Sequence, residues 1–286
     1  MIEFSNVTKR YGKIVALDGF SVTIDKPGIY CLLGRNGAGK TTLLKLLAGH
    51  IPASKGFVAV NRKTTAPLAM PEEVHFVETG AAQFNMRLAD LFKAAADVNP
   101  AFNVSFAMEL AARFKLDSTK RYKQLSFGMK AMVNTIIAMA SGKEILLLDE
   151  PVLGFDPVMR KVFYDLLLES CEESPKTVIV STHIIDEIEK TAERLIIIDK
   201  GRLTLFCDMT EIDEKAYCVT GVAEAVREAT EGLNVIDETK AGGFVSRYIY
   251  DRRIEADGKY SVSALGLTDF FVSLVGDEQN NGEAIQ

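Results

Sequence analysis

Residues 34–41 read GRNGAGKT, set between the apolar run GIYCLL (28–33) and the apolar-periodic TTLLKLLAGH (41–50). The eight residues fit G-x-x-x-x-G-K-[ST], the phosphate-loop pattern. Its glycines let the backbone fold close enough for successive N–H groups to surround a phosphate. A helix beginning at the end of the loop aims its unpaired amides and its positive dipole end at the same anion. On this reading Gly34, Asn36, Gly37, Ala38, Gly39, Lys40, Thr41 and Thr42 bind nucleotide. Lys40 bridges the outer phosphates, and the Thr41 hydroxyl is a ligand for Mg²⁺. A bare glycine-rich turn needs neither the buried strand before it nor the helix after it.

Working outward, short β-rich runs recur between helical patterns. IEFSNVTKRY, FSVTI and GIYCLLG come first; EILLLDE, a helical VMRKVFYDLLLESCEE, TVIVST, a helical HIIDEIEKTAERL and LIIID follow. Alternating strands and helices predict an α/β fold with a mostly parallel sheet covered by helices. GIYCLLG, EILLLD, TVIVS and RLIIID are apolar throughout, as parallel strands buried on both faces should be. Residues 83–140 instead carry helical segments, NMRLADLFKAAADV, VSFAMELAARFKL and FGMKAMVNTIIAMASG, which predict a helical insertion.

Beyond residue 205 the texture changes again. GVAEAVREATEG is a helix candidate, and GFVSRYIYD and YSVSALG alternate like half-exposed strands. The division expected is 1–205 as the nucleotide-binding domain, 206–276 as a small α+β appendage and 277–286 as a disordered tail. In LTDFFVSLVG, Thr268 or Asp269 is the expected helix cap. Phe270, Phe271 and Leu274 form an apolar stripe expected to bury against the nucleotide-binding domain or across a dimer.

The 286 residues are 48% hydrophobic and 25% charged, the balance of a globular protein with a sizeable core. A net charge of −6 gives no footprint for nucleic acid, which is not expected as a partner. Cys31, Cys171, Cys207 and Cys218 lack metal-type spacing and read as reduced thiols of a cytoplasmic protein. No run approaches the roughly 18 uncharged apolar residues of a membrane span, so spans would come from a partner.

Three further segments narrow the reading. EILLLDE closes a buried strand with two carboxylates before PVLGFDP; LSFGMK (125–130) heads a helix about twenty residues earlier; STHIIDEIE puts His183 at a strand end. With the phosphate loop, their order resembles the ATP-binding subunit of an ABC transporter, over about residues 1–205. The resemblance implies a P-loop NTPase core with an antiparallel β subdomain and a helical subdomain. It also implies ATP and Mg²⁺ as ligands, with Asp149 holding the metal and Glu150 as general base for hydrolysis. His183 matches the histidine that touches the γ-phosphate, Tyr11 the aromatic that stacks on adenine, and Asp156 the aspartate that communicates across the dimer. A carboxylate beside a metal-bound γ-phosphate is what orienting and deprotonating a water requires.

Two departures stand out. The family's LSGGQ is LSFGMK here: Ser126 and Gly128, which approach the opposite subunit's γ-phosphate, remain, while Phe127 replaces a glycine. GMK resembles variants in drug- and peptide-export branches. Glu78 falls where the family has its metal-contacting glutamine, and Gln83 lies five residues later and is not assigned. A glutamate there keeps an oxygen for Mg²⁺ and adds a negative charge beside the phosphates.

In this family the signature completes the partner's site, so the resemblance implies a second ATPase subunit, homodimeric or heterodimeric, and a separate membrane permease. The implied place is the inner face of the cell membrane, the implied work export of a drug, peptide or small metabolite. A soluble ABC-type ATPase with a mechanical or regulatory role is the alternative. Its usual tandem cassettes and long coiled-coil insertions are missing from this sequence.

Overall fold

Two strands of alternating burial, β1 (Ile2–Tyr11) and β2 (Ile14–Ile24), pair antiparallel and turn Ile2, Phe4, Phe20 and Ile24 inward. The chain continues through β3 (Gly28–Leu33) and α1 (Lys40–Leu47) into β4 (Lys55–Val60) and the short β5 (Lys63–Thr64). Strands β2-β1-β4-β5 form one four-stranded sheet. The structure, a computed structural model, describes residues 1–65, 70–78, 80 and 84–276; Gln83 and the tail 277–286 fall outside the described residues.

A second sheet collects the strands that are apolar throughout. After β6 (Val74–Glu78) come the helices α2 (Leu88–Val98), α3 (Val104–Arg113) and α4 (Phe127–Met139), with one 3₁₀ turn, Tyr122–Gln124, between the last two. Then follow β7 (Ile145–Asp149), α5 (Pro157–Glu173), β8 (Thr177–Ser181), α6 (Ile185–Ile188), β9 (Arg194–Asp199) and β10 (Arg202–Asp208). The sheet order is β10-β9-β3-β8-β7-β6, parallel from β9 to β6. Every residue of β3 and β7 is buried. Leu43, Leu44, Leu46 and Leu47 of α1 fill the space between the two sheets, against Phe4, Phe20, Val58 and Tyr30. Each such leucine contributes about 1.5–3 kcal/mol of burial, so the helix behind the phosphate loop is firmly seated.

Two helices of the insertion, α3 and α4, are started by side-chain caps. Asn103 accepts from the Phe106 N–H at 3.0 Å and Ser126 from the Met129 N–H at 3.3 Å. One expectation needs correction: HIIDEIEKTAERL is helical only over Ile185–Ile188. Glu193 exchanges bonds with Ile29, its N–H donating to the Ile29 carbonyl at 2.9 Å and its carboxylate accepting from the Ile29 N–H at 3.2 Å. Those bonds draw the chain into β9 and end the helix early.

The chain divides into two compact units, Met1–Phe206 and Cys207–Gln286. The second begins with α7 (Met209–Lys215), β11 (Ala216–Val222) and α8 (Ala223–Ala229). It continues with β12 (Val235–Ala241), β13 (Phe244–Tyr250), β14 (Tyr260–Ala264) and α9 (Leu267–Val275). Its antiparallel sheet, β12-β13-β11-β14, buries Tyr217, Val219, Val245 and Ile249 with Val226 of α8. The cap expected at Thr268 or Asp269 is corrected to Gly266, which makes no side-chain cap bond. Phe270 is buried and packs its ring 5.2 Å from that of Tyr250, so this residue of the stripe finds cover inside its own unit, while Phe271 and Leu274 are half-buried. All four cysteines are free, and no described helix is long and apolar enough to cross a membrane.

Candidate functional site

Register brings the separated motifs to one level. In the parallel sheet Leu32 of β3 is opposite Ser181 of β8, and Ser181 is opposite Asp149 of β7. The phosphate loop, Asp149–Glu150 and Thr182–His183 therefore leave the sheet side by side at its carboxyl edge, where open α/β sheets bind ligands. A cleft of about 290 Å³ opens there, lined by Ala16, Arg35, Asn36, Gly37, Gly39, Lys40, Thr41, Thr42, Asp149 and Glu150.

Gly39 caps α1 with φ 111°, and a Cβ on it would lie 2.6 Å from the Ala16 carbonyl. Only glycine fits that conformation and that approach. Ala38 is buried beneath the loop, and its N–H donates to the Arg35 carbonyl at 3.0 Å. Lys40 folds its ammonium back over the loop, donating to the Gly34 carbonyl at 2.6 Å. Burial lowers its pKa from the usual lysine value, while Glu150 and Asp149 pull it back up. The Thr41 hydroxyl donates to Asp149 Oδ2 at 2.7 Å, and the Ser181 hydroxyl donates to Asp149 Oδ1. Asp149 is thus held from both flanking elements and buried.

Glu150 takes φ 51°, a left-handed conformation rare for a side-chain-bearing residue, and its N–H donates to the Ser181 carbonyl at 3.0 Å. That turn lifts its carboxylate out of the strand line. Oε2 lies 2.8 Å from His183 Nδ1. The two residues, 33 apart in sequence, form one exposed acid–imidazole pair at the rim of the cleft.

The signature residues do not join this cleft. Ser126 is exposed at the head of α4. Gly128 packs backbone to backbone: a Cβ on it would meet the Gly154 carbonyl oxygen at 2.4 Å. Phe127, half exposed, turns its ring onto Gly154, whose φ is 82°. Asp156 caps α5 by accepting from the Met159 N–H at 2.9 Å, with Pro157 opening the helix.

Tyr11 and Glu78 also lie off the cleft lining. Tyr11 ends β1 opposite Ile14, 46% exposed, with the Lys9 ammonium 5.1 Å from its ring centre. Glu78 is the register partner of Asp149, yet its carboxylate pairs with Lys45 of α1 at 2.6 Å. It borders a separate depression with His75, Phe76, Phe84, Asn134 and Ile137. Sequence reasoning missed Lys45 and Ser181. A lysine inside the LLKLL stretch and a serine ending an all-apolar strand were the available signals.

The family described as ABC transporter matches residues 17–153. The ABC transporter ATP-binding protein YtrB of Bacillus subtilis (strain 168) is 30% identical over 251 residues, 83% of this chain and 83% of its own length. The bacitracin transport ATP-binding protein BcrA of Enterococcus faecalis is 26% identical over 299 residues, 96% of each. Among solved structures, a dimeric ATP-binding cassette bound to ADP and Pi in a post-hydrolysis state is similar in fold. Its TM-score is 0.65 at 22% identity, over 73% of this chain and 99% of that one.

Proposed function

The chain belongs to the ABC transporter ATP-binding family, and from that membership we propose that its cleft binds and hydrolyses ATP to drive a separate membrane permease. The observation that carries this is the meeting of Lys40, Thr41, Asp149, Glu150 and His183 at one sheet edge. Lys40 and the loop amides hold the phosphates. Glu150 accepts a proton from the attacking water, and His183, paired with it, keeps the carboxylate aimed. Tyr11 stacks on the base from the hairpin tip.

The donor set suits a small hard cation. Thr41 Oγ1 and Asp149 Oδ2 are oxygens 2.7 Å apart, and Mg²⁺ is held by few protein oxygens, waters and substrate phosphates. Bound there it would offset phosphate charge and fix phosphate orientation. Glu78, turned to Lys45, is proposed to tune the field beside Asp149.

Ser126, Gly128 and Asp156 serve a second ATPase subunit. None of the three lines the chain's own cleft, which supports a two-fold dimer in which each signature completes the other's site. Export of a drug, peptide or small metabolite, at the inner face of the cell membrane, fits relatives named for bacitracin and lantibiotic transport. Residues 207–276 take no part in the cleft. The deciding experiment is ATP turnover by the purified chain with and without a co-purified permease. Absence of turnover in both, with nucleotide bound normally, would refute the ATPase reading.

A further inference from the structure

Glu150 and His183 are joined twice, once directly and once the long way round. From Glu150 the chain makes a tight turn: the Leu153 N–H donates to the Glu150 carbonyl at 3.2 Å and the Phe155 N–H to the Val152 carbonyl at 3.0 Å. The Phe155 carbonyl then accepts from Arg160 Nε at 3.1 Å. The other end of the same guanidinium lies 3.5 Å from Glu187 Oε1 on α6, four residues after His183. His183 returns to Glu150 at 2.8 Å. The contacts close a ring.

We propose that Arg160 and Glu187 are positioning residues that hold this ring shut and so set the separation and aim of the Glu150–His183 pair. The inference rests on the ATPase reading only for its kinetic consequence. A helix of one turn such as α6 has little stability of its own and takes its place from tertiary contacts. Ile185 and Ile188 bury one side of it. On the other, Glu187 Oε2 is buried without a hydrogen-bond partner among the described residues, so the Arg160 cation offsets that carboxylate through Oε1. Removing the cation leaves a half-buried carboxylate without its counterion, with Oε2 still lacking a donor, so that the side chain turns toward water and α6 turns with it. Arginine is suited to the task because its planar fork serves two acceptors in different directions; a lysine ammonium reaches one or the other. Asp156, next to Phe155 in the chain, caps the helix that bears Arg160.

The test uses the full chain and two conservative variants, Arg160→Lys and Glu187→Gln. The sequence holds three histidines, His50, His75 and His183, so an imidazole NMR spectrum of histidine-labelled protein without nucleotide reports three sites. Each variant is expected to move the His183 signal and leave those of His50 and His75 in place. ATP turnover is expected to fall about tenfold in kcat, since small misplacements near the chemistry are costly, with the Kd for nucleotide within about twofold of the parent. The double variant is expected to be no worse than either single, because both open one ring. A stationary His183 signal, movement of all three signals together, or additive kinetic losses would overturn the proposal. If the His183 signal responds but the parent protein shows no turnover, the ring stands and the ATPase reading falls.

Discussion

Lys45 Nζ and Glu78 Oε1 lie 2.6 Å apart, joining the helix behind the phosphate loop to the strand beside Asp149. Their side chains are 29% and 36% exposed, so the pair contributes under about 1 kcal/mol to stability. Its effect is on the field. Glu78→Gln removes a negative charge next to Asp149 and frees a cation, so Mg-ATP affinity should stay level or rise up to about threefold at low salt. Lys45→Met strips the carboxylate of its counterion and should weaken affinity by a similar factor, with recovery in the double variant. Nucleotide titrations at several Mg²⁺ concentrations check this; a clear loss of affinity in Glu78→Gln would make Glu78 a required ligand.

Lys40 and Glu150 should fail in different ways. Lys40→Ala removes the ammonium proposed to bridge the outer phosphates, a loss of about 2–5 kcal/mol for a buried charged contact, and nucleotide binding should drop accordingly. Glu150→Gln keeps the shape of the site but cannot accept a proton. Turnover should fall by about 10²–10⁴ while ATP still binds. Size-exclusion chromatography should then show an ATP-dependent dimer, and a variant that stays monomeric or hydrolyses at the parental rate contradicts the assignment.

At the signature, crowding sets the order of damage. A methyl at Gly128 faces a backbone oxygen at 2.4 Å, whereas one at Gly154 faces the Phe127 ring at 2.9 Å. Gly154→Ala adds left-handed strain of about 1–2 kcal/mol; Gly128→Ala adds overpacking of about 1–3 kcal/mol or more. Phe127→Ala should relieve the ring contact of the Gly154 variant but not its backbone strain, and leave the Gly128 variant untouched. Urea unfolding of the single and double variants measures both.

Acid should destabilise the protein partly through His75. Burial, assisted by the charge of Lys143, lowers its pKa to about 4. As pH falls below about 6.5 the unfolded chain takes up the proton while the folded one does not. Stability is therefore fully present above pH 6.5 and is lost down to pH 4, by a total on the order of 3 kcal/mol. His75→Phe, which keeps an apolar ring, should flatten that part of the profile. Parallel slopes for the two proteins between pH 7 and 4.5 would count against it.

Local chemistry was the legible part of this molecule. The phosphate loop, the all-apolar strands β3, β7, β8 and β9 and the helix head at LSFGMK each announce themselves within a few residues. What needed the folded chain were pairings across distance. Lys45 meets Glu78, Gly128 meets Gly154 and Ser181 meets Asp149 because of strand order, which no local pattern records. The helical periodicity after His183 was overruled by Glu193 bonding to Ile29. AYCVTGV and VIDETKA mix polar and apolar residues, yet as β11 and β12 they take their place from antiparallel partners.

The carboxyl edge of the parallel sheet joins residues 34–41, 149–150 and 181–183, segments that share no local contact along the chain. Eight of the ten lining residues fall within 16–42, but Asp149 and Glu150 reach them only through the non-local pairing of β3, β8 and β7, and such pairings are slow to form. By mass action, ligand at about a hundred times its Kd adds about 2.7 kcal/mol to the folded state. Limited proteolysis with and without ATP should therefore show the chain longer-lived when nucleotide is present.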